Sequence, residues 1–194
     1  FEDGSSTTIV SDPSWKTTDG PIVFNDLYDG EIYDARLEKR GWDEPSFDDS
    51  EWEFAQGVDF PRNILKSQSL LPTIKVDKIL FPERFTSPSS GVYIYDFGQN
   101  FSGWIQLKVS GPSGTQIKLR YSELLNEDGS LNTNPNQGAE ATDTYILKGE
   151  GEEIYEPHFT YHGFRYVEVT GFPGIPSLET LKGCFVHSRV KHTG

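Results

Sequence analysis

His158 and His162 stand four residues apart, the spacing at which two imidazoles on one helical face ligate a metal. Pro157 precedes the pair and Gly163 follows it, which opposes a helix, and no third ligand presents itself. Both histidines are therefore predicted to be structural. Carboxylates are the other group with chemical potential: Asp26, Asp29, Glu31 and Asp34 lie together, and more acids run from Asp43 to Glu53. Glycoside hydrolysis needs two carboxyls at a set separation, one kept protonated by burial. Nothing selects such a pair from the 30 acids, most of which read as surface or turn residues. For Asp96 and Glu123 the expected role is structural, with either able to pair with Arg165.

The loop Asn126-Glu127-Asp128-Gly129-Ser130-Leu131-Asn132 resembles an EF-hand, but Leu131 occupies the place of the sharp-turn glycine. It continues through Thr133-Asn134-Pro135-Asn136-Gln137 and is rich in oxygen ligands. A calcium or sugar site using Asp128, Asn134 and Asn136 competes here with an ordinary polar loop. Of the four tryptophans Trp15, Trp42, Trp52 and Trp104, the last is the candidate for stacking on a pyranose. At least two of the four are expected to plug the ends of a sandwich instead. No catalytic residue and no metal-ligand set is assigned, and no cofactor is expected, calcium on that loop being the open option. Asn100-Phe101-Ser102 matches a glycosylation sequon, a pattern too short to weigh much. There is no phosphate-binding glycine loop, no Cys/His metal cluster and no Ser/His/Asp arrangement that stands out from chance.

These residues need strands to position them. Phe159 to Val169 alternates after Gly163, with Arg165, Val167 and Val169 on one side and Phe164, Tyr166 and Glu168 on the other. The pattern predicts a central strand covered on both faces, with Arg165 beside the core and in need of a carboxylate. Gly163 predicts a bulge or a close backbone approach. Further strands are predicted at Thr7–Val10, Ile22–Phe24, Glu31–Tyr33, Lys75–Leu80, Val92–Phe97, Trp104–Val109, Gln116–Glu123, Thr144–Lys148, Glu153–Tyr155 and Leu181–His187, with a turn at Gly98-Gln99-Asn100. Short strands, regular turn signals and no long helical pattern indicate an all-β sandwich of jelly-roll type.

The chain has 194 residues, enough for a sizeable core, and a formal net charge of −13. That charge argues against nucleic acid and anionic membranes as partners. Cys184 is the single cysteine, so no internal disulfide forms and a small buried thiol is expected. No apolar run approaches membrane-spanning length. An opening on Phe1 just before Asp3-Gly4 suggests a cut through a hairpin, hence a piece of a longer protein.

Three long motifs carry a family resemblance. They are Asn25-Asp26-Leu27-Tyr28-Asp29-Gly30-Glu31-Ile32-Tyr33-Asp34-Ala35-Arg36, the stretch Tyr95-Asp96-Phe97-Gly98-Gln99-Asn100-Phe101-Ser102-Gly103-Trp104, and Phe159-Thr160-Tyr161-His162-Gly163-Phe164-Arg165-Tyr166. With Gly41-Trp42, Asp48-Asp49-Ser50-Glu51-Trp52 and Thr142-Asp143-Thr144-Tyr145 in the same order, nearly the whole chain resembles bacterial α-L-rhamnosidases of glycoside hydrolase family 78. The resemblance implies β-sandwiches preceding an (α/α)₆ barrel that holds the active site. Residues 1–56 then correspond to the C-terminal portion of an N-terminal sandwich, 57–74 to a linker and 75–190 to a concanavalin-like sandwich. The implied partners are the catalytic barrel of the same polypeptide and a rhamnose-containing plant polysaccharide or glycoside. The implied role is a non-catalytic scaffold, the alternative being a calcium-assisted rhamnose-binding module. The compartment is left unassigned, the periplasm or the cell exterior being favoured for a bacterial parent.

Overall fold

A computed structural model describes residues 1–59, 66–67 and 71–190. Its strands are β1 (Lys16–Thr17), β2 (Ile22–Asp26), β3 (Gly30–Asp34), β4 (Glu53–Phe54), β5 (Ile74–Leu80), β6 (Arg84–Ser89) and β7 (Val92–Ser110). They continue as β8 (Gln116–Ser122), β9 (Leu124–Leu125), β10 (Leu131–Asn132), β11 (Thr142–Ile146), β12 (Glu152–Tyr155), β13 (His162–Thr170) and β14 (Leu181–Ser188). Three single-turn 3-10 helices are the only helical pieces among the described residues.

Two compact units divide the chain: residues 1–20 with 39–70, and residues 21–38 with 71–194. In the smaller unit β1 pairs antiparallel with β4, Lys16 opposite Phe54. Lys16 Nζ reaches Asp49 at 2.9 Å, and Phe47 packs edge-on against Trp52 with ring centroids 5.5 Å apart. Thr7–Val10, predicted as a strand, belongs to none; its residues are exposed, and alternation without a neighbouring strand leaves the backbone to water. Half of the predicted linker 57–74, residues 60–65 and 68–70, lies outside the described residues.

The larger unit is a curled ten-stranded sheet in the order β2-β3-β11-β8-β13-β7-β14-β5, with β12 and β6 also paired to β7. Nineteen-residue β7 is what lets the sheet fold over itself. Its first half, from Val92, pairs with β6 and β13; its second half, from Gly103, pairs with β14 and β12. Gly98-Gln99-Asn100, predicted as a turn between two strands, is instead an outward excursion within this one strand. Between Phe164 opposite Phe101 and Tyr166 opposite Asp96, β13 advances two residues while β7 advances five. Gly103 must be glycine, since a Cβ there would run into the carbonyl oxygen of Cys184 on β14. β6 escaped prediction because Arg-Phe-Thr-Ser-Pro-Ser is polar and contains Pro88.

Ile105, Leu107, Ile117, Leu119, Val167 and Val169 all have no exposed surface and share one core. Each contributes on the order of 1.5–3 kcal/mol by leaving water. The sequence prediction for β13 needs correction. The register shift at Arg165 reverses the parity, so Phe164 joins Val167 and Val169 in the core, while Arg165, Tyr166 and Glu168 lie half-exposed on the other face. The strand is central, between β7 and β8, but only one face is sealed. Gly163 lies just before the irregularity, and a Cβ there would meet nothing closer than Glu123 Oε1 at 3.9 Å, so the predicted close approach is absent.

Candidate functional site

Five strands, β3, β8, β11, β12 and β13, bring a network of buried acids, tyrosines and histidines together in the larger unit. On β3, Glu31 and Tyr33 share a face because they are two residues apart; on β11, Asp143 and Tyr145 do the same. β11 pairs parallel to β3 with Tyr145 opposite Tyr33, and antiparallel to β8. Gly30 permits the approach: its φ is +108°, and a Cβ would overlap the Thr142 carbonyl. The Glu31 N–H can then donate to Asp143 Oδ1 at 3.0 Å.

Three buried carboxylates result, each taking a tyrosine hydroxyl. Tyr155 donates to Glu31 at 3.1 Å, Tyr121 to Asp143 at 2.7 Å, and Tyr145 to Glu153 at 2.8 Å. Glu31 also accepts the backbone N–H of His158 at 3.0 Å and lies 3.2 Å from its Nδ1. His162 Nε2 stands 3.4 Å from Asp143 Oδ1, and its ring stacks on Tyr121 with centroids 4.3 Å apart. Glu153 accepts N–H groups from Lys148 at 3.0 Å and Gly149 at 2.8 Å. Burial, reinforced by the adjacent carboxylates, holds the hydroxyls of Tyr121, Tyr145 and Tyr155 well above the ordinary tyrosine range. They stay protonated and remain donors. Glu31 and Asp143 have no exposed surface, so a substrate cannot reach either carboxylate.

A shallow cleft of about 220 Å³ opens beside this network, lined by Tyr33, Glu38, Tyr145, Ile154, Tyr155, Glu156 and His158. Its rings are largely turned on one another. His158 stacks on Tyr33 at 5.2 Å and 7°, Tyr33 on Tyr145 at 5.8 Å, and Tyr145 on Tyr155 at 4.7 Å. Glu38 receives Tyr33 Oη at 3.0 Å and Lys148 Nζ at 2.6 Å, while Glu156 receives Trp104 Nε1 and Gln106 Nε2, both at 2.7 Å. The carboxylates on the rim are thus engaged from within the protein.

The chain matches known proteins along nearly its whole length. A family model described as the bacterial α-L-rhamnosidase concanavalin-like domain matches residues 86–187, and one described as the α-L-rhamnosidase N-terminal domain matches residues 1–78. The chain belongs to the bacterial α-L-rhamnosidase family. An α-L-rhamnosidase of Streptomyces avermitilis is 47% identical over 195 residues, covering 100% of this chain and 19% of that protein. Among solved structures, an α-L-rhamnosidase from Dictyoglumus thermophilum superposes with a TM-score of 0.94 at 54% identity, over 98% of this chain and 22% of that one. The Streptomyces avermitilis α-L-rhamnosidase complexed with L-rhamnose superposes with a TM-score of 0.92, over 97% of this chain and 18% of that one. The chain spans about a fifth of the length of the curated relatives it matches.

The residues singled out from the sequence lie in different places. Arg165 donates through Nε and Nη2 to Asp96 at 2.7 and 3.0 Å, and Arg84 Nη2 reaches the same carboxylate at 2.9 Å. Those guanidinium bonds, with the Gly98 N–H, outweigh the opposing effect of burial and lower Asp96 to a pKa of about 2. Glu123 accepts Asn100 Nδ2 at 2.7 Å. Trp104 is half-buried and touches the cleft only through Glu156. Asp128 Oδ1 accepts from Ser130 N and Oγ at 3.0 and 2.6 Å, the Asn134 N–H donates to Asn132 Oδ1 at 3.0 Å, and Asn136 Nδ2 donates to the Tyr121 carbonyl at 3.0 Å. None of these three loop residues lines the cleft. No group of three or more His, Cys, Asp or Glu is placed to hold a metal among the described residues.

Sequence reasoning left Glu31 in a cluster of acids read mostly as surface or turn residues and gave Asp143 no role of its own. The signal was their phase: Asp143, Tyr145 and Leu147 alternate inward, as Glu31 and Tyr33 do.

Proposed function

We propose that this chain is a non-catalytic β-sandwich region of an α-L-rhamnosidase and scaffolds an (α/α)₆ catalytic domain on the same polypeptide. The whole polypeptide would hydrolyse terminal α-L-rhamnosides with inversion, an acid protonating the leaving oxygen while a base activates water. On this reading residues 1–56 derive from an N-terminal sandwich, 57–74 link, and 75–190 form the concanavalin-like domain; β2 and β3 leave the first segment to edge the larger sheet. One observation carries the non-catalytic assignment. Glu31 and Asp143, the carboxylates of the buried tyrosine network that face imidazoles, are sealed from solvent and hold structural donors. Incubating the chain with an aryl α-L-rhamnoside tests it: release of the aryl alcohol at the buffer rate is expected, and turnover above that rate would end the proposal.

A second reading, a calcium-assisted rhamnose-binding module, is favoured by the Streptomyces avermitilis relative, whose structure is a complex with L-rhamnose. Asp128 and Asn134 are exposed on their loop and available to such a ligand. Titration calorimetry with rhamnose, with and without calcium, separates the two. Absence of heat at millimolar sugar favours the scaffold.

A further inference from the structure

Where the β2–β3 turn meets the segment leading into β13, four large side chains stand in solvent. Leu27 is 47% exposed, Tyr28 70%, Phe159 71% and Tyr161 52%. They are neighbours, because the buried Thr160 donates through Oγ1 to the Leu27 carbonyl at 3.2 Å. The backbone of the turn and of His158 is tied to its neighbours. Ala141 and Thr142 N–H groups donate to the carbonyls of Tyr28 and Asp29 at 3.1 and 2.9 Å, and the His158 N–H is held by Glu31. A rigid base that carries open aromatic rings has met much of the ordering cost of association in advance. Apolar patches of this kind mark interfaces, and aromatic anchors dominate interface energetics.

We propose that this patch is the surface on which the rest of the α-L-rhamnosidase polypeptide docks, through an apolar face rimmed by lysine or arginine. The inference rests on the scaffold reading and names its contact. Two observations select the occupant. The curated relatives are about five times as long as this chain, so most of their polypeptide lies outside the matched region. A second copy is disfavoured by charge: each chain carries −13, and Asp26, Asp29 and Glu140 border the patch, so identical faces repel.

Hydroxyl-radical footprinting of the 194-residue chain and of the full-length polypeptide that carries it reads the surface directly. Tyr28, Phe159 and Tyr161 are expected to oxidise at least fivefold more slowly in the full-length protein. Equal rates at these three, with protection elsewhere on the chain, overturn the surface and leave the scaffold standing. No protection anywhere on the chain removes the scaffold as well. Protection that grows with concentration of the free chain assigns the patch to a second copy. Protection produced by added L-rhamnose assigns it to sugar. Either result overturns the proposal.

Discussion

Replacing Asp96 with Asn tests whether the β13 irregularity is held by charge. The carboxylate is 4% exposed and binds two guanidiniums and the Gly98 N–H at 2.8 Å. Its pKa falls from 3.8 to about 2 on folding, which by linkage is worth about 2 kcal/mol. Asp96→Asn forfeits that stabilisation and leaves Arg84 and Arg165 facing each other unneutralised. Both cations are partly solvated, with side chains 69% and 35% exposed, so screening keeps the added repulsion under about 1 kcal/mol. The expected loss at pH 7 is therefore about 2–3 kcal/mol. Because the folded pKa is depressed, the contribution is complete above the unfolded value and disappears as pH falls through about 2. Urea unfolding, followed by hydrogen-exchange protection of peptides covering β7 and β13, isolates the larger unit. Native protein and variant should differ constantly from pH 5 to 8 and converge toward pH 2. A gap below about 0.5 kcal/mol at pH 7, or one that does not close in acid, refutes the argument.

Three further outcomes follow from the packing. Gly30→Ala should cost more than about 2 kcal/mol and disrupt the β3–β11 pairing, since the new methyl meets the Thr142 carbonyl at a positive φ; an unchanged urea midpoint would contradict the close approach. Glu31→Ala removes the acceptor for Tyr155 and His158 and should destabilise by about 3 kcal/mol or more, which the same unfolding measurement checks. Cys184 is 2% exposed, and burial, assisted by Glu156, pushes its thiol up to about 12. Ellman's reagent at pH 8 should therefore leave it unmodified in the native protein and titrate one thiol in guanidinium; rapid native labelling would contradict the burial.

The strand content was legible because period-2 alternation is a local property. Ile105, Leu107 and Val109, then Ile117, Leu119 and Tyr121, go inward as their spacing requires. The long motifs around Tyr95, Asn25 and Phe159 likewise carried the family resemblance unaided. What the sequence could not announce is pairing across large separations. The parallel contact of β3 with β11 joins residues more than a hundred positions apart, and no local pattern specifies it. That contact turns Glu31 and Asp143 from two acids among many into sealed structural acceptors. The irregularity at Arg165 is tertiary for the same reason. Alternation assigns faces correctly only while register is kept, and the excursion of β7 shifts it, sending Phe164 into the core and Arg165 out to Asp96. Side-chain identity chose the strands, and the partner strand chose which side of each one meets water.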